Sequence, residues 1–329
     1  MCLKTDMCNY ITIFRRPSLK ITSYDTLMRT AEHCIYPYIG DKETDKLKTI
    51  DIMGLLSYLE MEKEYSFSTV KRTKELLDTF YDYAVKTHIA ENNIVSSIKC
   101  VNRHRNEVKQ VRAFILDEVE RFQKAALEKD IQGEYCCYYG PLLVVYLHTG
   151  LRLGELIAVS PKDYEPDTGE MYIHTDLARV NNYNSKGERL KGGMVVHQKS
   201  PKTYESNRRI VLNDTAKKLL YPYYLRAVRS NNDFIVVPAK SRNGCVSPSS
   251  VQHAFKLVAK KAGISNIKGI HTLRHTCATH MIKAGVDIKV VSKILGHASV
   301  KITYDTYYHL FDNEVPTALS VFDDIFNQQ

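Results

Sequence analysis

The sequence predicts a mainly α-helical protein with one small antiparallel β-sheet, divided into two domains. Apolar residues recur at helical spacing through most of the chain, and three short β-branched segments interrupt them between Met171 and Leu212. A basic polar stretch, Lys99 to Arg112, separates the helical first hundred residues from the rest. With 329 residues the chain is long enough for two cores, and 44% apolar with 25% charged residues is the balance of a soluble globular protein. A net charge of +9 suits a polyanionic partner, most often nucleic acid.

Residues 1–17 show no clear periodicity and carry Arg15, Arg16 and Pro17, so they read as an N-terminal arm or tail. Residues 18–98 read as a helical bundle. Ile52, Leu55, Leu56 and Leu59 make one apolar stripe; Val70, Leu77, Phe80, Tyr81 and Ala84 make another, on a helix that Ser68 is placed to cap. Residues 99–111 read as a basic linker. Past it, Asp117 is placed to cap a helix with Val119, Phe122 and Ala126 inward. The apolar run Pro141 to His148 ends at Gly150, a natural stop, and Arg152 opens the next helix. Met171 to His174, Met194 to His197 and Arg209 to Leu212 read as the strands, with Asn181 to Gly193 a long polar loop between two of them. Helices return over Ser250 to Ala262, Thr272 to Ala284 and Asp287 to Leu295; Asp287 caps the last, and Gly285 and Gly296 end the final two. Leu273, Cys277, Met281 and Ala284 are the inward stripe of the Thr272 helix, and Arg274 falls off it.

Several classes are disfavoured. No apolar run approaches the roughly 20 residues of a membrane span, and the first residues lack the apolar core of a secretory signal. Eight scattered cysteines with no CxxC pair read as reduced thiols. His271, His275 and His280 with Cys277 lack metal-ligand spacing, since His271 and His275 point to different sides and no carboxylate joins them.

The candidate chemistry lies in five short segments: Thr149-Gly-Leu-Arg152-Leu-Gly-Glu155, Pro201-Lys202-Thr203, His271-Thr-Leu-Arg274-His275, Leu295-Gly-His297 and Thr306-Tyr307-Tyr308-His309. Arg152 at a helix start adds a forked donor where anions are already favoured, and Glu155 one turn on is placed to orient it. Taken singly, each segment has an ordinary reading; Lys202, for example, is a solvated lysine on a turn.

In this order the five segments resemble the tyrosine recombinase (phage integrase) catalytic domain over about residues 112–312, and residues 18–98 look like the family's core-DNA-binding domain. The resemblance implies a clamp around duplex DNA. It implies that Arg152 and Arg274 hold the non-bridging oxygens of a scissile phosphate, with Glu155 supporting. Lys202 would protonate the departing 5′-oxygen, His271 would assist proton transfer, and His297 would hydrogen-bond the phosphate. Tyr307 matches the nucleophile, with Tyr304 and Tyr308 as competitors. The implied reaction passes through a 3′-phosphotyrosyl link and a Holliday junction, without metal or cofactor. Four protomers would act together on DNA in the cytoplasm, with room for an accessory bending or directionality factor. The segment 313–329, with Val315, Leu319, Phe322 and Phe326 in a stripe, would dock on a neighbouring protomer. Thr-Tyr-x-His with an extra residue after Leu-Gly-His resembles the transposon and phage branch, the integrases of mobile elements in bacteria and phages. A Xer-like chromosome-dimer resolvase, a type IB topoisomerase and a catalytically silent DNA-binding protein are the rivals.

Overall fold

A computed structural model describes residues 1–100, 112–198, 207–239 and 244–310. All but the first two residues of the expected linker, together with the Lys202 turn and the segment 313–329, lie outside the described residues. The chain divides into two compact units: Met1–Val108 with Val180–Met194, and Lys109–Arg179 with Val195–Gln329.

The first unit is helical. Its elements are α1 (Leu3–Asn9), α2 (Ile21–Thr30), α3 (Tyr36–Ile39), α4 (Thr49–Met61) and α5 (Phe67–Lys86), with π-helical turns at Tyr10–Arg15 and Ala31–Ile35. The first seventeen residues differ from the expected arm. Leu3, Met7, Tyr10 and Ile11 recur at i, i+4, i+7 and i+8, and all four are buried in the unit's core with Phe80 and Tyr81. Both apolar stripes read from the sequence are buried, on α4 and α5. Ser66 rather than Ser68 precedes α5; its hydroxyl lies 3.0 Å from those of Ser68 and Thr69.

The second unit opens with α6 (Leu116–Ala126), α7 (Gly140–Thr149) and α8 (Leu153–Ala158). Asp117 stands inside the first turn of α6, and Glu118 accepts the Ile115 N–H at 3.0 Å in its place. Leu142 to Leu147 on α7 are all buried, and Gly140 permits the approach of α6, because a Cβ there would overlap the Ala126 carbonyl. Gly150 ends α7 in the left-handed region at φ 60°, which glycine adopts without a side-chain penalty.

Four strands follow among the described residues: β1 (Glu170–Ile173), β2 (Asp176–Tyr183), β3 (Arg189–Gln198) and β4 (Arg208–Val211). They form two ladders rather than one sheet. β1 pairs antiparallel with β4, Met171 opposite Ile210, and β2 pairs with β3. The expected loop over Asn181 to Gly193 is therefore mostly hairpin. Its turn is closed by the Asn184 side chain, which accepts the N–H groups of Lys186 and Glu188 at 2.9 Å. The hairpin's end belongs to the first unit, where Tyr183 meets Tyr24 edge-on at 5.6 Å between ring centroids and Asp25 accepts the Asn181 N–H at 3.0 Å.

The unit ends in α9 (Asp214–Arg229), α10 (Pro248–Lys261), α11 (His271–Lys283), α12 (Ile288–Leu295) and α13 (Val300–Tyr307). Asp287 caps α12, accepting the Lys289 N–H at 2.6 Å, and Gly296 ends it at φ 66°. Among the described residues no helix is long and apolar enough to cross a membrane.

Candidate active site

The site is assembled around the last turn of α12. A helix leaves its final carbonyls without intrahelical donors, and that end attracts cations. Three arginines from three other elements satisfy three successive carbonyls here. Arg208 Nε donates to Ile294 O at 2.8 Å, Arg274 Nη2 to Leu295 O at 2.8 Å, and Arg152 Nη2 to Gly296 O at 2.9 Å. His297 is the next residue, and its N–H donates back to Ser292 O at 3.1 Å.

Arg152 caps α8. Glu155 accepts its backbone N–H at 2.9 Å and its Nη1 at 2.7 Å, so the carboxylate fixes the helix start and the guanidinium together. Burial opposes ionisation of Glu155, but the Arg208 and Arg152 guanidiniums outweigh it and hold its carboxyl below the usual range. The inward stripe read for α11 holds only at Leu273: Cys277 and Met281 are half-buried and Ala284 is exposed, while Arg274, expected off the stripe, is buried because its Nη1 also finds Gly150 O at 2.7 Å. Burial and the neighbouring Arg152 lower its pKa to about 10, so it stays charged at neutral pH.

The histidines are held neutral. Burial first, then Arg274 and Arg152, push His271 below its ordinary value; its Nδ1 is 3.4 Å from the Tyr146 hydroxyl. His297 falls to about 4 through burial, Arg274, Arg152 and Arg208, and its Nδ1 lies 2.7 Å from Thr303 Oγ1. An imidazole whose Nδ1 accepts that hydroxyl presents Nε2–H, a donor suited to a phosphate oxygen. The third histidine of the group considered for metal, His280, lies 2.9 Å from Phe114 O, so the three do not converge. No group of three metal-type side chains occurs among the described residues.

Tyr307 closes α13 with its ring packed against Ala278, Ile282, Val291 and Leu295, 1% exposed. Its hydroxyl is 2.9 Å from Nδ1 of His275, which burial and the nearby His271 and Arg274 lower to about 4. Neutral His275 accepts and the phenol donates. Burial pushes the Tyr307 pKa well above the ordinary phenol value. The competing tyrosines are the opposite: Tyr304 and Tyr308 are 45% and 47% exposed.

Arg152, Glu155, His271, Arg274, His297 and Tyr307 are thus brought into one unit around the α11, α12 and α13 helices, while Lys202 lies outside the described residues. Arg208, His275 and Tyr146 were not singled out as site residues from the sequence. Strand alternation was the available signal for Arg208, since it turns Arg208 inward and sends Arg209 out to Glu170 at 2.7 Å.

The model of the phage integrase central domain matches residues 8–100, and that of the phage integrase family matches residues 113–314. A "tyrosine recombinase XerC-like" protein of Caldanaerobacter subterraneus subsp. tengcongensis is 24% identical over 297 residues, 85% of this chain and 72% of its own length. The ICEBs1 integrase of Bacillus subtilis is 26% identical over 323 residues, 94% of this chain and 80% of its own. In fold, the chain is similar to the Tn1549 transposon integrase solved with a circular intermediate DNA, with TM-score 0.72 at 17% identity, covering 97% of this chain and 99% of that one. A lambda integrase tetramer bound to a Holliday junction gives TM-score 0.62 at 19% identity, covering 91% and 78%. One integrase model spans the helices of the first unit and a second spans the unit that carries the arginines, His297 and Tyr307: this chain belongs to the phage integrase family, the tyrosine-type site-specific recombinases.

Proposed function

We propose that this recombinase is the integrase of a mobile element, cutting and rejoining duplex DNA through Tyr307. The observation that carries the reading is the convergence of Arg152, Arg274 and His297 on one helix end, with Tyr307 closing the next helix. Two charged forks beside a neutral histidine donor suit a phosphodiester whose oxygens gain charge as it becomes pentacoordinate. The Tyr307 oxygen attacks phosphorus, the bond from phosphorus to the 5′-oxygen breaks, and the 3′-phosphate becomes joined to tyrosine. The phenol passes its proton to the imidazole it already faces, His275 Nδ1 at 2.9 Å, with His271 assisting, and Lys202 supplies one to the departing 5′-oxygen. A 5′-hydroxyl from a partner strand reverses the step, so no energy source is needed. Glu155 orients Arg152.

The rest of the reading follows from relatives. Strand exchange on two duplexes implies a Holliday junction and four protomers, with residues 313–329 docking on a neighbour and room for a directionality factor. Residues 18–98 would hold the core DNA, and 99–111 would join the domains. The ICEBs1 integrase match, extending over 94% of this chain, favours the mobile-element branch. Relatives named XerC and XerD favour the second reading, a chromosome-dimer resolvase.

The test is covalent capture on nicked suicide duplexes drawn from a random-sequence pool, with a chelator present. A denaturing-gel band for the wild type that Tyr307→Phe abolishes, while that variant still shifts DNA, supports the reading. DNA binding with no covalent band would favour a catalytically silent binder; relaxed plasmid with no recombinant product would favour a topoisomerase.

A further inference from the structure

Arg208 lies outside the five recognised segments, yet it is as buried as Arg274, its side chain 3% exposed. Its Nη2 and Nη1 donate to the two Glu155 oxygens at 2.8 and 3.3 Å, while its Nε holds Ile294 O at 2.8 Å. The same carboxylate holds Arg152, and the same helix end holds Arg152 and Arg274 and leads into His297. Glu155 is therefore gripped from both sides. Without Arg208, each oxygen of this buried carboxylate would keep one Arg152 donor and lose its second, and the Glu155–Arg152 pair would lose its tie through Arg208 to Ile294 O on α12.

A second observation concerns Gly296. A Cβ on this residue would collide with the Arg208 guanidinium, Nη1 and Cζ first. The glycine of Leu295-Gly-His297 thus does two things: it adopts φ 66°, and it leaves room for the Arg208 guanidinium where a Cβ would stand. Ordinary fold stabilisation explains a buried ion pair. It does not require the pair to join the support of Arg152 to the turn that delivers His297.

We infer that Arg208 is a positioning residue for strand cleavage, locking Glu155 and Arg152 to the C-terminal turn of α12 so that the phosphate-facing donors share one register. The inference rests on the phosphate-holding role proposed for Arg152. It predicts a specific chemical signature. A misplaced Arg152 fails to neutralise a charged phosphate, and a misplacement of about 1 Å costs on the order of 10²-fold in rate. A neutral methylphosphonate at the scissile position has less need of that neutralisation.

The experiment uses the full chain and one duplex recovered by covalent capture, carrying either phosphate or methylphosphonate at the mapped cleavage position. Arg208→Lys keeps the charge but loses the fork. The expected result is wild-type DNA affinity, covalent-complex formation slower by on the order of 10²-fold on phosphate, and a deficit under about tenfold on methylphosphonate, as for Arg152→Ala. Glu155→Gln combined with Arg208→Lys is expected to be no worse than the poorer single variant, because the two act as one unit. Equal deficits on both substrates, wild-type rates, or additive losses in the double variant would overturn the inference. Should Arg208→Lys fail to fold, Gly296→Ala displaces the same guanidinium from its other face, and the same comparison of substrates decides. Failure of the wild type to form any covalent complex would sink the recombinase mechanism itself, a different result from either.

Discussion

Acid should weaken the catalytic unit by an amount set by His275 and His297. Both are held near pKa 4, through burial and then the charges around them: His271 and Arg274 for His275, and Arg274, Arg152 and Arg208 for His297. A histidine in the unfolded chain titrates near 6.5. Between pH 6.5 and about 4, the unfolded chain therefore binds protons that the folded one refuses, so stability is full above 6.5 and is lost as pH falls. From pH 7 to 5 the linkage amounts to about 1.8 kcal/mol per histidine. Both rings are partly exposed, and solvent screening reduces this to about 1 kcal/mol each, or about 2 kcal/mol together. The assay is urea unfolding followed by circular dichroism at pH 7 and pH 5, for wild type and the His275→Gln/His297→Gln double variant. The wild type should lose about 2 kcal/mol more than the variant between the two pH values, a difference in midpoint of about 1 M urea. Other titrating groups are common to both proteins and cancel. Equal pH dependence in the two proteins would refute the claim that these imidazoles are neutral by enclosure.

Three further outcomes are expected. Tyr307→Phe keeps the packed ring and loses one hydrogen bond to His275, so it should cost about 1 kcal/mol, a few degrees in melting temperature, while abolishing covalent DNA linkage; a collapse in stability would show that the hydroxyl holds the fold. Glu155→Gln leaves Arg152 and Arg208 facing a neutral amide and should destabilise by about 2–4 kcal/mol, discounted because Arg152 is partly exposed; an unchanged thermal midpoint would contradict the buried network. Gly150→Ala forces a side chain into the left-handed region and brings Cβ to 3.1 Å from both Cys277 Sγ and Leu295 Cδ2. The substitution should cost about 1–2 kcal/mol, read by urea unfolding; a neutral or stabilising effect would count against the strain argument.

Local chemistry made much of this protein legible in its sequence. Gly150, Asp287 and Gly296 mark helix ends by backbone rules that need no partner elsewhere, and the structure shows those ends. Apolar stripes gave α4 and α5 for the same reason. What the sequence hid depends on distant partners. The β2–β3 hairpin shows no two-residue alternation: Leu177, Val180 and Tyr183 are buried at every third position, and Tyr183 finds its place beside Tyr24. α9, for which no helix was read from the sequence, carries Pro222 in its interior. Arg274 falls off the stripe that spacing alone suggests for α11, where a residue is expected in water; two carbonyls from elsewhere in the chain draw it inside. Arg208 and Arg209 look alike as neighbours, and only the strand's pleat separates a buried support from an exposed ion pair.

The central claim is that Tyr307, now buried against His275, becomes the atom joined to DNA. The most direct measurement is fragment mass spectrometry of the captured complex after nuclease and trypsin digestion. Trypsin cuts after Lys301, so Tyr304, Tyr307 and Tyr308 share the peptide that begins at Ile302, and fragmentation separates them. A nucleotide remnant on Tyr307 is the expected result. A remnant on Tyr304 or Tyr308, both exposed, would contradict it.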